Sequence, residues 1–202
     1  MIGEYAWRST QSVRHTVELA PAIAELLARC GVSVDTVQAL GVALGPGSFT
    51  SLRVGLSLVK GLAISRKLPV IGIPTLDILA AAQATSRFPL VVLIQAGRNR
   101  FAIGWYKSSK KGWQLREPAR VVTIDALAQE IQSPAIVCGE LTSAERQLLE
   151  GNVSIRLASP AQSVRRPAIL AELAWSRWQN GQVDDEATLA PIYLHVAGSV
   201  PA

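Results

Sequence analysis

Glycine and small hydroxyl residues follow the apolar run VQALGVAL in the stretch GPGSFTSLRVG, residues 45–55. Such a loop could hold a phosphate, because backbone N–H groups at a helix start carry partial positive charge. It could equally be a structural turn, in which Gly45 and Gly47 permit unusual backbone angles and Ser48 or Thr50 caps the next helix. The stretch lacks the Lys-Ser/Thr pair of a P-loop, and Thr50 stands at the third-glycine position of G-x-G-x-x-G. The residues therefore favour a turn, with a phosphate cradle as the alternative.

Other residue types that do chemistry are sparse. The chain has two histidines, His15 and His195, and two cysteines, Cys30 and Cys138. Neither histidine has a carboxylate or nucleophile at a spacing typical of acid–base catalysis, and two histidines are too few for a histidine metal cluster. Both cysteines lie in apolar segments, which indicates buried free thiols. The sequence predicts no hydrolase triad, redox centre or metal site.

Length and composition indicate a globular α/β chain with one sizeable core or two small ones. Of its 202 residues, 49% are hydrophobic and 17% are charged. No apolar run reaches the ~18 residues that span a bilayer, and the start MIGEYAWRST lacks the apolar core of a signal peptide, so we expect a cytoplasmic protein. The net charge is +5. Three basic clusters are either solvated surface or nucleic-acid contacts: Arg98 with Arg100, Lys107 with Lys110 and Lys111, and Arg165 with Arg166.

The predicted elements form two similar series. The first half has strands and helices in alternation, at 3–8, 12–30, 37–44, 49–65, 68–74 and 75–85. The second half begins with a predicted antiparallel meander of strands 89–97, 98–106 and 113–122. Helix 124–132, strand 135–139, a helix with a Thr142–Glu145 capping box, strand 153–157 and a helix from Pro167 to Gly181 follow. The first series matches the second except for two strands missing at its front, which predicts a duplicated domain divided as 1–88 and 89–202.

Two predicted helices carry more apolar surface than one core needs. On the first, Val13, Val17, Ala20, Ala24 and Leu27 form one stripe, and Thr16, Leu19, Ile23, Leu26 and Cys30 form another. On the second, Leu52, Leu56, Val59 and Ala63 crowd one face, while Ser57 and Gly61 allow close approach of another helix. Either these helices form an interface with another chain, or both are sandwiched inside the fold. Periodicity alone leaves both readings open.

Several motifs resemble a known family. The block GPGSFTSLRVGLSLVKGLA followed by LPVIGIPTLDILA is similar to the bacterial TsaB (YeaZ) proteins, the non-catalytic partners of the tRNA threonylcarbamoyladenosine transferase TsaD. RHTVELAPAI resembles the first-helix motif of that family and PIYLH its closing motif, so the likeness covers about residues 4–195. The resemblance implies duplicated actin-like domains of the sugar kinase, Hsp70 and actin superfamily, with a ribonuclease H-like core.

The sequence departs from the family pattern at a few positions. Ser51 stands where the family has glycine, and His195 stands where it has arginine. The usual first strand with Asp-Thr-Ser and the strand after it are missing. We therefore expect the gene to continue upstream in frame, with this chain as an N-terminally truncated form.

The resemblance implies a function without catalysis by this chain. We expect a subunit that heterodimerises with a TsaD-like catalytic subunit and supports threonylcarbamoyl transfer to N6 of adenosine 37 of tRNA. ATP and metal would belong to the partner, since Thr75 and Leu79 occupy the positions of the metal-binding H-x-x-x-H pair of catalytic relatives. A TsaE-like ATPase would join, tRNA would be contacted through the complex, and a homodimer is possible without the partner.

The partner-binding residues implied by the resemblance lie on the two apolar helices, and they are Thr16, Leu19, Ile23, Leu26, Leu52, Arg53, Leu56, Ser57, Val59 and Lys60. The alternative function is a nucleotide-dependent kinase or ATPase of the same superfamily, which would use the loop with Gly45 and Gly47.

Overall fold

The structure is a computed structural model that describes residues 15–97 and 99–194. The helices are α1 (His15–Arg29), α2 (Phe49–Arg66), α3 (Thr75–Ala81), α4 (Ile124–Glu130), α5 (Ser143–Glu150) and α6 (Pro167–Gln179). The strands are β1 (Leu40–Gly45), β2 (Val70–Pro74), β3 (Leu90–Gln95), β4 (Arg100–Ser109), β5 (Gly112–Leu115), β6 (Arg120–Thr123), β7 (Ala135–Gly139) and β8 (Ile155–Leu157). None of the helices described has the length and apolar character needed to cross a bilayer.

The observed elements follow the predicted order with one correction. The predicted strand 113–122 is two strands, β5 and β6, which both pair with β4. Pro118 lies in the break between them, and proline has no N–H to donate to a strand ladder. The capping box of α5 is present as predicted, since Thr142 and Glu145 exchange side-chain and backbone hydrogen bonds. The predicted strand 3–8 lies outside the described residues.

The contacts group the chain into two compact units. The first unit comprises the chain up to Leu44 with residues 48–73 and 166–191, and the second comprises 45–47, 74–165 and the remaining C-terminal residues. Helix α3 therefore packs with the second half of the chain, and α6 packs with the first. The predicted division into residues 1–88 and 89–202 separates two repeated series of elements. That these series arose by duplication of one domain stays a prediction.

The first unit is built on the pair β1–β2, with α1 packed against α2. Its core consists of Val42, Leu56, Ala63 and Val70. Asp184 attaches the end of α6 to β2, because its carboxylate accepts the Gly72 N–H at 2.8 Å and pairs with Arg177, whose guanidinium also donates to the Gly72 carbonyl. Such charge-assisted hydrogen bonds hold a small two-stranded unit together where its apolar core is short.

The second unit is a mixed sheet covered on both faces. Its strand order is β5-β4-β3-β7-β8, with β6 beside β4. Strand β3 pairs antiparallel with β4 and parallel with β7, and β7 pairs parallel with β8. Alternate residues of β3 enter two cores: Val91 and Leu93 pack with α4 and α5, whereas Leu90 and Val92 pack with α3. Complete burial on both faces explains why residues 90–94 read as one apolar run.

Gly139 is the most constrained glycine in the second unit. Its φ is +154°, and a Cβ added there would lie 2.0 Å from the carbonyl oxygen of Leu93. Neither the backbone angle nor the neighbouring main chain can yield easily, because Leu93 belongs to the buried central strand.

We predict that Gly139→Ala destabilises the fold by about 3 kcal/mol or more, since it adds backbone strain of about 1–3 kcal/mol to overpacking of about 1–3 kcal/mol. Gly55→Ala is the control, because a Cβ there meets nothing within 4 Å, and in a helix it should stabilise by about 0.5–1 kcal/mol. Urea unfolding monitored by circular dichroism measures both. Equal midpoints for wild type and Gly139→Ala would contradict the prediction.

Candidate functional site

The glycine loop is a buried turn at its start. Gly45 has φ +103°, and its N–H donates to the Thr75 Oγ1 at 3.1 Å. Gly45 and Pro46 are buried, whereas Gly47 is exposed. The N–H of Gly45 is therefore already bonded and is not offered to a phosphate. For the rest of the loop, the structural turn and the phosphate cradle both stay predictions.

The predicted side-chain cap of α2 is wrong. Ser48 is the N-cap residue, but its hydroxyl makes no cap hydrogen bond and instead lies 3.2 Å from the Ser51 hydroxyl. Thr50 is the second residue inside the helix, two positions after the N-cap, so it is not the capping residue. The small hydroxyl residues thus start the helix without closing its first turn by a side chain.

Thr75 and Leu79, which the family resemblance places at the metal-ligand positions of catalytic relatives, serve packing in this structure. The Thr75 hydroxyl accepts from Gly45, and its residue is 3% exposed. Leu79 is fully buried against the second unit's sheet. Within residues 15–97 and 99–194 no group of three or more His, Cys, Asp or Glu residues is placed to hold a metal ion.

Burial raises the pKa of two ionisable groups in the second unit. The Tyr106 hydroxyl donates to the Asp77 carboxylate at 2.7 Å, and burial together with the Asp77 charge raises the tyrosine pKa. Asp77 lies in the first turn of α3, and the sequence did not indicate its hydrogen bond with Tyr106. Burial raises the pKa of the Cys138 thiol to about 11, which suppresses its nucleophilicity at neutral pH. Cys30 is free but only half-buried, so the prediction of two buried thiols is wrong for it.

Helix α2 has one face inside the core and one face open. Leu56 and Ala63 are buried in the core of the first unit, and Val59 packs against it. On the other side Arg53, Ser57 and Gly61 are exposed at one-turn intervals, and Ile64 beyond them is 67% exposed. A Cβ added to Gly61 would meet nothing within 4 Å. We call Arg53, Ser57, Gly61 and Ile64 the open row of α2.

Helix α1 shows the same asymmetry. Leu19, Ile23 and Leu26 are half-buried, whereas Ala20 and Ala24 are exposed. The larger stripe is thus the better covered of the two, and the small-residue stripe faces outward. The His15, Thr16 and Val17 side chains and residues 13 and 195 lie outside the described part.

The ten residues predicted to bind a partner therefore differ in availability. Leu56 and Val59 are used by the first unit itself. Lys60 donates to the Ala187 carbonyl at 3.4 Å, and the Arg53 guanidinium lies 4.3 Å from the centre of the Phe49 ring. The partner-binding role of the set stays a prediction.

The first unit contains a groove that the predictions from the sequence did not include. It has a volume of about 240 Å³ and lies between β1 and α6, where Gly41 faces Ala174 and the two tryptophans Trp175 and Trp178 line the wall. Trp175 is 57% exposed and meets Trp178 edge to face at 5.2 Å. The signal in the sequence was the pair of tryptophans three positions apart, near one another on a helix surface.

Comparison with known proteins identifies the family. A family profile described as "TsaD: tRNA N6-adenosine threonylcarbamoyltransferase" matches residues 9–193. The "tRNA threonylcarbamoyladenosine biosynthesis protein TsaB" of Bacillus subtilis strain 168 is 30% identical over 91% of this chain and 80% of that protein. A "tRNA N6-adenosine threonylcarbamoyltransferase" of Syntrophus aciditrophicus strain SB is 37% identical, but over 43% of this chain and 27% of that protein. The chain belongs to the TsaB (YeaZ) family.

A solved structure shares the TsaB fold seen here. It is described as an uncharacterized protein with similarity to peptidase YEAZ from Pseudomonas aeruginosa, and it matches with a TM-score of 0.70 and 23% identity over 88% of this chain and 83% of that chain. The predicted α/β class with an actin-like, ribonuclease H-like fold is confirmed. The likeness at this identity concerns the fold alone.

The hydrogen bond between Gly45 and Thr75 generates a stability prediction. Thr75→Val removes the only side-chain atom that accepts the buried Gly45 N–H, so we expect a loss of about 1–3 kcal/mol. Thr75→Ser keeps a hydroxyl and should recover most of the loss. Urea unfolding compares the three proteins, and a valine variant as stable as wild type would show that this bond does not matter.

A second prediction concerns pH. Because burial raises the Cys138 pKa from 9.0 to about 11, the native chain keeps a proton that the unfolded chain loses above about pH 9. Stability from this group is complete below that pH and falls as the pH rises toward 11. The urea midpoint of wild type should drop more between pH 8 and pH 10.5 than that of Cys138→Ala, while Tyr106 contributes equally to both proteins. Equal drops would refute the prediction.

Proposed function

We propose that this chain is a non-catalytic subunit that binds a TsaD-type transferase and supports formation of threonylcarbamoyladenosine at N6 of adenosine 37 of tRNA. The names of its relatives support the pathway, since the Bacillus subtilis protein is called a tRNA threonylcarbamoyladenosine biosynthesis protein. The observation that carries the partner role is the open row of α2, a line of small and exposed residues on a helix whose opposite face is buried.

The open row fits a partner helix for a steric reason. Gly61 has no side chain, Ser57 has a small one, and space around Gly61 is free. Small residues one turn apart let two helix axes approach closely, and the exposed Ile64 and the alanines of α1 add apolar area at the edges. Of the predicted contact residues, Arg53 and Ser57 on α2 form the centre of the proposed contact. The half-buried Leu19, Ile23 and Leu26 of α1 lie at its margin, together with Leu52 and Lys60 of α2.

The proposed role assigns the chemistry to the partner. Thr75 and Leu79 give neither a nitrogen nor a carboxylate donor at the positions that bind metal in catalytic relatives, so we assign ATP and metal to the transferase. A TsaE-like ATPase joins the complex, and the chain forms a homodimer when the transferase partner is lacking. The complex works in the cytoplasm. No comparison favours the kinase alternative, which requires saturable ATP binding by the isolated chain.

The proposal is tested with Gly61→Leu. A leucine on the open row should weaken binding of the TsaD-type transferase at least about tenfold, or about 1.4 kcal/mol, because it prevents close approach of the partner helix. The urea midpoint should stay at or above the wild-type value, since the site is empty in the free chain. Isothermal titration calorimetry measures affinity, and modified-adenosine levels in cells report function.

Gln147→Leu on α5 is the matched control, because it also adds one exposed leucine to a helix surface but lies outside the open row. Two results would reject the proposal: no binding of the transferase by wild type, or Gly61→Leu and Gln147→Leu binding alike. ATP turnover by the purified chain alone would reject the non-catalytic assignment.

A further inference from the structure

One end of the second unit's sheet gathers basic residues from four separate segments. The rows of the sheet align Arg156 with Ile136, Ile136 with Leu90, and Leu90 with Tyr106. Lys107 follows Tyr106 in β4, and the turn that joins β4 to β5 carries Lys110 and Lys111. Arg87 and Phe88 come just before β3, at the same end. We call Arg87, Phe88, Lys107, Lys110, Lys111 and Arg156 the basic strip.

The arginines of the strip are held together by an aromatic ring. The guanidinium carbons of Arg87 and Arg156 lie 4.9 Å and 4.7 Å from the centre of the Phe88 ring. Cation–π contacts stabilise each guanidinium, but they also hold two positive charges within about 10 Å of one another. Both arginines are exposed, so their outward faces and N–H groups remain available.

Within the part of the chain that the structure describes, the cations of the strip have no carboxylate within ion-pair distance. The ion pairs of the described residues join Arg29, Arg66, Arg120, Arg165 and Arg177 to carboxylates. None of those ion pairs includes a residue of the strip. Like charges gathered without a carboxylate repel one another, and this cost is recovered when an anionic partner binds. The site is therefore preorganised for negative charge.

The shape of the strip favours a phosphate backbone. Strands β5 and β8 are the first and last of five neighbouring strands, so four spacings of about 4.8 Å place them about 19 Å apart. The cations are therefore spread across this end of the sheet rather than gathered around a point. The hairpin contributes a depression of about 380 Å³ in which Lys110 and Lys111 stand beside Ser109 and Gln114. Trp113 forms its wall and is fixed there, because its indole N–H donates to the Gln83 carbonyl at 3.0 Å. Flexible lysines suit phosphates as point charges, and guanidinium planes suit stacking on bases.

We propose that the basic strip binds the phosphate backbone of RNA, so that this subunit contacts the tRNA directly. The inference deepens the proposed function and rests on it for the identity of the RNA. It replaces the expectation that tRNA is contacted only through the complex. The strip lies in the second unit, whereas the open row of α2 lies in the first, so the two surfaces can be altered independently.

The test compares two triple variants of equal charge change. Lys107→Gln, Lys110→Gln and Lys111→Gln neutralise the hairpin part of the strip. The control combines Arg29→Gln, Lys67→Gln and Arg116→Gln, which remove three exposed positive charges outside the three basic clusters. Fluorescence anisotropy with an unmodified tRNA transcript is measured between 50 and 200 mM NaCl, with the chain alone and with the TsaD-type transferase added. The double variant Arg87→Gln with Arg156→Gln tests the two arginines that lie against the Phe88 ring.

We expect the hairpin variant to lose about tenfold or more in RNA affinity at low salt and to reduce the slope of log affinity against log salt by about 2–3, close to one per lost phosphate contact. The control should change affinity less than about twofold. Equal effects of the two triple variants, or no salt-dependent RNA binding by wild type in either form, would overturn the proposal.

Two further outcomes separate this inference from the proposed function. If the hairpin variant loses the transferase but keeps RNA affinity, the strip contacts protein and the inference is wrong. If wild type fails to bind the transferase, the proposed function fails, while the titration of RNA with the chain alone still decides the strip.

Discussion

The hydrogen bond from the Gly45 N–H to the Thr75 hydroxyl decides the character of both positions at which this chain could have done chemistry. It takes the first donor of the glycine loop, and it takes the hydroxyl of Thr75, a residue that the family resemblance places at a metal-ligand position of catalytic relatives. A buried N–H must be paired, since leaving it unpaired costs about 1–3 kcal/mol. The fold therefore uses these groups for its own stability. Leu79, four residues after Thr75, is likewise used for stability, because it packs in the core beneath the sheet.

The central strand β3 sets the architecture of the second unit. Its residues are buried on both faces, so helices must cover both sides, and α3 is drawn to one face while α4 and α5 cover the other. Gly139 shows how closely the neighbouring strand approaches, because a single methyl group there would meet the main chain of Leu93. The basic strip lies at the end of this rigid sheet. Arg87 and Arg156 are held beside the Phe88 ring, and the β4–β5 pairing brings the hairpin lysines to the same end of the sheet.

The first unit has a smaller core and more open surface. Helix α2 gives Leu56 and Ala63 to that core and leaves Gly61 and Ile64 outside it, and α1 leaves its alanines outside in the same way. An exposed line of small residues contributes little to the stability of the free chain. Its value lies in the close approach that it allows to another helix.

The sequence by itself determined the elements and their order, since the period of apolar residues, the capping box at Thr142 and the glycine turns are local signals. It also determined the family, through the block that runs from Gly45 into α2. It did not reveal the Tyr106–Asp77 bond, which joins residues far apart in the chain. It also missed two local features, the break at Pro118 and the absent side-chain cap at Ser48, whose hydroxyl lies beside that of Ser51. Tertiary structure alone decided which stripe of each helix is covered and brought Arg87, Arg156 and the hairpin lysines to one end of a sheet. The physical reason is that burial and charge proximity arise from contacts between residues far apart in the chain, whereas periodicity describes only neighbours.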